Sequence, residues 1–160
     1  MEYKRLTLAD IKNNDEVKAL VKRQSDYLEV MGYTEHGLRH IGYVSRTTAN
    51  ILAETGADAR TIELGEIAGW LHDMGNTLSR KYHGLTGGLL AYNVLIRAGM
   101  DPEEAALIAN AIGNHEENVG VATTALAAAL QLADKSDAHR SRINKTNYDE
   151  HDIHDRVNMS

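Results

Sequence analysis

The sequence predicts an all-α domain, a compact bundle of about six helices, and three observations lead there. Proline occurs once in 160 residues, at Pro102, so almost nothing removes a backbone donor from a long helix. Ala, Leu, Ile and Glu are abundant, a composition that leaves the chain free to be mostly helical. Apolar residues recur at three- and four-residue spacing, while the strict alternation of a half-buried strand is nearly absent.

The first helix is expected from Leu8 to about Met31, with Ile11, Val17, Leu20, Val21 and Leu28 on its apolar side. Thr7 or Asp10 would cap it and Gly32 would close it. A second runs from Glu35 to Thr55 through Leu38, Ile41, Val44, Ile51 and Leu52, and ends at Gly56. Asp58 caps a third that carries Ile62, Leu64, Ile67, Ala68 and Leu71 up to His72. Gly75 interrupts, and the stretch to Tyr82 is polar and basic. A fourth spans about His83 to Ala98 and stops at Gly99. Asp101-Pro102-Glu103-Glu104 is the clearest start in the chain: a cap, a proline in the first turn, then acids on the positive end of the dipole. The fifth helix continues from there to about Asn114. The sixth, from about Ala122 to Ser136, is rich in alanine, which allows neighbouring helices to approach closely. Ser141 to Ser160 is polar and reads as an irregular tail.

Composition narrows the function. There is no cysteine, which excludes thiol catalysis, thiolate zinc sites and iron–sulfur clusters. The 42% hydrophobic and 25% charged fractions are those of a globular protein, and no linker or repeat divides residues 1–160 into more than one domain. A net charge of −6 argues against broad attraction to nucleic acid or an anionic membrane. Met1-Glu2-Tyr3-Lys4-Arg5 opens no apolar leader, and no apolar run approaches the roughly 20 residues of a membrane span. The expected location is the cytoplasm, and a homodimer is compatible with the sequence.

Eight histidines are many for this length, and their positions carry the chemistry. The focus is Gly69-Trp70-Leu71-His72-Asp73-Met74-Gly75-Asn76, a His-Asp pair at the end of an apolar helix. His151-Asp152 and His154-Asp155 repeat the dipeptide in a polar tail with no apolar helix leading in, and serve as internal controls. Ionisable neighbours at a buried helix end are costly unless a cation or partner compensates them. Around the pair in sequence stand His40, His83, His115 and Asp134, each near a helix end or on an otherwise apolar helix.

A first His, a His-Asp pair, further histidines and a distant Asp, here within Leu132-Ala133-Asp134, resemble the HD-domain superfamily of metal-dependent phosphohydrolases. The resemblance covers about residues 36–137 and implies a helical HD-type domain. It further implies His40, His72, Asp73 and Asp134 as ligands of one metal, with Asp73 bridging to a second held by His83 and His115. His72 and Asp73 would then be catalytic. The Gly-Tyr-Pro signature of cyclic-dinucleotide phosphodiesterases is missing, as is the Glu-Asp pair of alarmone hydrolases, since Met74-Gly75-Asn76-Thr77 stands there.

Imidazole and carboxylate together favour Fe, Mn, Zn or Co over Mg. Two such ions would activate a water and offset charge on a phosphoryl group. The expected substrate is a nucleotide or another small phosphate ester. Lys135, beside Asp134, is the first choice for phosphate binding and for a catalytic role, followed by Arg80 and Lys81, then Arg140 and Arg142. His36 lies one helical turn before His40 and is a further pocket candidate; Glu116 and Glu117 could shape the same pocket. A di-iron oxygenase on the same scaffold, or a regulatory module without metal, are the alternatives.

Overall fold

A computed structural model describes residues 2–32 and 37–138, and every described element is helical. Seven α-helices follow in order: α1 (Leu8–Asn13), α2 (Asp15–Val30), α3 (Leu38–Glu54), α4 (Ala59–Leu71), α5 (His83–Ala98), α6 (Pro102–Gly113) and α7 (Ala125–Lys135). A 3-10 turn, Met74–Thr77, joins α4 to the loop before α5. The expected tail from Ser141 lies outside the described residues.

The count exceeds six because the expected first helix is two. Asn14 has extended backbone (φ −69°, ψ 124°), and its side chain accepts from the amides of Glu16 and Val17. A short amide side chain that bonds the next turn stops one helix and starts another. Of the two candidate caps, Thr7 is the one that caps α1, with Asp10 returning the bond in a capping box. Asp58 and Asp101 cap α4 and α6 by the same side-chain acceptance. The last helix starts three residues later than expected, because Thr124 supplies the cap.

α3 packs on α4 and α7, α5 packs on α6, and α4 also meets both α6 and α7. Ile41, Val44, Leu52, Ile67, Leu71, Leu95, Ile108, Ile112, Leu126 and Leu130 form the shared core and are almost wholly buried. Each contributes about 1.5–3 kcal/mol by leaving water. Arg60 ties the start of α4 to α6 through Glu104 (Nε to Oε1, 2.7 Å) and to the N-terminal segment through the Leu6 carbonyl (2.9 Å).

Two glycines set the distances on which the site depends. A Cβ on Gly69 would lie 2.6 Å from Ser45 Cα, so only glycine lets α4 settle on the α3 backbone. A Cβ on Gly88 would lie 2.7 Å from the Ala109 carbonyl, where α5 crosses α6. The first approach brings His72 to His40, and the second brings His83 to His115.

Candidate metal centre

Four histidines from four stretches of chain meet in one row. His40 stands in the first turn of α3, His72 ends α4, His83 opens α5, and His115 follows α6. Their rings contact edge to face, with centroids 5.2 Å apart for His40–His72, 5.1 Å for His72–His115 and 4.9 Å for His83–His115. All four are buried.

Each ring is anchored through Nδ1. In His72, Nδ1 donates to the Gly69 carbonyl at 2.9 Å, in His83 to the Arg80 carbonyl at 3.0 Å, and in His115 to the Ile112 carbonyl at 2.7 Å. In all three the acceptor lies three residues back in the chain. His40 differs, because its Nδ1 donates to Asp137 Oδ2 at 2.7 Å. A ring that donates through Nδ1 keeps an acceptor lone pair on Nε2, and the four Nε2 atoms face the same small volume.

Two carboxylates complete it. Asp134, in the last turn of α7, puts Oδ1 3.2 Å from His40 Nε2 and 3.5 Å from His72 Nε2. Asp73 divides its oxygens: Oδ2 lies 3.5 Å from His72 Nε2 and 3.7 Å from that of His40, while Oδ1 lies 3.2 Å from His83 Nε2. His83 Nε2 is also 3.2 Å from His115 Nε2. Asn76, buried in the 3-10 turn, donates to Asp73 twice, to its carbonyl at 2.9 Å and to Oδ1 at 3.0 Å. The Asp134 side chain keeps 28% of its exposure, against 2% or less for His40, His72 and Asp73, so solvent reaches the cluster on its side.

The charges are strongly coupled. Burial alone would lower the His72 pKa, but the Asp73 and Asp134 carboxylates outweigh it and raise the value to about 9. His115 is pushed down to about 4 by burial and by the charge of His72, so it is neutral and ready to donate its lone pair. Burial opposes ionisation of Asp134, yet His40 and His72 hold its carboxyl well below the usual range. The two carboxylates that raise His72 are the same oxygens that a cation in this space would satisfy.

The residues fit a divalent metal. Buried His72 Nε2 makes no hydrogen bond among the described residues, although two carboxylates stand beside it. His40, His72 and Asp134 bring ligand atoms within 4.8 Å of one another, and so do His72, Asp73 and His115. Nitrogen donors with one or two carboxylates suit first-row transition metals. Among the described residues these are the groups with such geometry, and all six residues singled out from the sequence converge here.

The basic candidates are placed less tightly. Arg80 lies against His83, with Nη1 3.2 Å from its Nε2 and 3.4 Å from Asn76 Oδ1. Lys135 is 42% exposed and pairs with Glu117, which joins the end of α7 to the loop after His115. Lys81 is exposed and sits over the Tyr82 ring, 5.0 Å from its centroid. Glu116 Oε1 is 3.2 Å from His83 Nδ1, so the loop does border the cluster. His36, Arg140, Arg142 and both tail His-Asp pairs lie outside the described residues.

Two residues given no role from the sequence belong to the site's frame, Asn76 and Asp137. Asp137 is buried, accepts from His40, and receives both ends of the Arg39 guanidinium, at 3.1 Å and 2.7 Å. Each stands three residues after a ligand-type aspartate, Asp73 and Asp134, a spacing that does not by itself mark a role.

The scaffold is all-α among the described residues and carries these groups in the order His, His-Asp, His, His and Asp. A structure search finds the same fold in a solved protein, a predicted HD superfamily hydrolase from an uncultured Thermotogales bacterium. The match has a TM-score of 0.59 at 21% identity, and covers 84% of this chain and 75% of that one. The two chains share the fold. No protein-family model and no curated protein matches the sequence. Among the described residues no helix is long and apolar enough to cross a membrane.

Proposed function

We propose that this chain is a metal-dependent phosphohydrolase that uses water to cleave a nucleotide or another small phosphate ester. The observation that carries the reading is the convergence of four anchored imidazoles and two carboxylates on one buried volume, open on the Asp134 side. The fold shared with a predicted HD superfamily hydrolase supports the general kind of chemistry.

His40, His72, Asp73 and Asp134 would hold one ion, and His83 and His115 a second, with Asp73 shared between them. A bound divalent ion there supplies Lewis-acid polarisation of a phosphoryl oxygen and lowers the pKa of a water. The protein's own groups supply position. Asn76 fixes the Asp73 carboxylate so that its oxygens address both halves of the site. His115, held neutral, keeps its lone pair available at pH 7. Arg80, beside His83, and Lys135, beside Asp134 in the chain, would be the cations that receive a substrate's phosphate, with Lys81 on the same loop as Arg80.

A screen of nucleotides and phosphate monoesters and diesters, run with Mn, Fe, Co, Zn and Mg, tests the reading by phosphate or nucleoside release. Chelator-sensitive release from any of them supports it. Oxygen consumption by the iron-loaded protein, with no ester cleaved, would replace it with the oxygenase reading.

A further inference from the structure

Three of the four site histidines are oriented by a carbonyl of their own chain segment, three residues back. Those acceptors come with the local backbone and need no distant partner. His40 is the exception: its acceptor, Asp137 Oδ2 at 2.7 Å, lies 97 residues away, beyond the end of α7. The α3 helix therefore does not by itself fix which way this ring faces.

We propose that Asp137 is a positioning residue for the metal centre, turning His40 so that Nε2 faces Asp134 and Asp73, with Arg39 holding Asp137 in turn. The inference rests on the metal reading above. Asp137 Oδ2 accepts from both His40 Nδ1 and Arg39 Nη2, and Oδ1 accepts from Arg39 Nη1. The bidentate pair leaves the carboxylate one orientation, and that orientation sets the plane of the imidazole. Because Asp134 and Asp137 stand three residues apart at the end of α7, one docking event delivers both a ligand and the anchor of its neighbouring ligand. The two carboxylates grip His40 from opposite ring nitrogens, Asp134 3.2 Å from Nε2 and Asp137 2.7 Å from Nδ1. A carboxylate on Nδ1–H also makes the imidazole a stronger donor than a carbonyl would.

The test is Mn(II) binding by calorimetry in wild type, Asp137→Ala and Asp137→Asn, alongside melting of the metal-free proteins. Loss of the anchor should weaken Mn(II) binding roughly 10- to 100-fold in Asp137→Ala. Asp137→Asn can keep its single oxygen on His40 and should retain more of the affinity, although its amide then meets Arg39. Wild-type affinity in Asp137→Ala, or equal losses in both variants, overturns the role. A purely structural role would lower melting temperatures without separating the variants in affinity. If Asp137→Ala does not fold, ring-nitrogen NMR of the wild type decides: the His40 proton belongs on Nδ1, and a proton on Nε2 alone overturns it. Wild type that binds Mn(II) but cleaves no ester removes the phosphohydrolase reading and leaves this one intact; wild type that binds no metal removes both.

Discussion

Asp73 touches His83 with one oxygen and turns the other away from it. Oδ1 lies 3.2 Å from His83 Nε2, and Oδ2 faces His72 at 3.5 Å. Among the described residues, this side chain lies against both ends of the row of imidazoles, His40 at 3.7 Å and His83 at 3.2 Å, so the site's two halves meet at this carboxylate.

Asp73→Ala should therefore abolish metal-dependent turnover while leaving the helical signal in circular dichroism unchanged. The side chain is buried among polar groups rather than in the aliphatic core, so its loss removes chemistry more than packing. Turnover at wild-type rate with full metal content would show that the wrong His-Asp pair has been chosen. The controls are His151→Ala and His154→Ala, which should keep activity.

Asn76→Ala removes two hydrogen bonds to Asp73, one to the carbonyl and one to Oδ1. Each such bond contributes about 0.5–1.5 kcal/mol net, more when the acceptor is charged. The variant should melt lower, and kcat should fall more than KM rises, because the carboxylate is present but loosely aimed. Steady-state kinetics with a substrate from the screen separates the two; a rise in KM alone would place Asn76 in substrate binding.

Gly69→Ala puts a methyl 2.6 Å from Ser45 Cα on the facing helix. Overpacking of this kind costs about 1–3 kcal/mol, or roughly 2–4 °C of melting temperature per kcal/mol in a chain of this size. Because the same contact seats His72 against His40, metal affinity should fall along with stability. An unchanged melting temperature would mean that α3 and α4 are not packed as described.

Metal itself should stabilise the fold. A ligand that binds only the folded state adds about 2.7 kcal/mol at 100 times its dissociation constant, so Mn(II), Fe(II) or Co(II) should raise the melting temperature by several degrees. Mg(II) should do less, since four of the six donors are nitrogen. Differential scanning fluorimetry reads this directly, and a strict preference for Mg(II) would count against histidine ligation.

Much of this was legible from the residues. Asp101-Pro102 marked the start of α6 to the residue, and Asp58 marked that of α4, because caps and first-turn prolines act locally. His40, His72, Asp73, His83, His115 and Asp134 each stood near a helix end or on an otherwise apolar helix, and it was the resemblance to the HD-domain superfamily that grouped them as one ligand set. Asn14 did not, since an amide inside an apparently continuous apolar period betrays a break only when its side chain bonds the next turn. Asp137 was hidden for another reason. Its partners, Arg39 and His40, lie almost a hundred residues earlier, and nothing local distinguishes a carboxylate that folds back from one left in water.

Metal stoichiometry tests the central claim most directly. Protein purified without chelator and reloaded with Mn(II) or Fe(II) should bind two equivalents, by elemental analysis against protein concentration. His83→Ala combined with His115→Ala should bind about one, because His40, His72, Asp73 and Asp134 remain. One equivalent in both proteins would contradict the shared role of Asp73 and reduce the centre to a single ion. No binding in either would contradict the metal centre altogether.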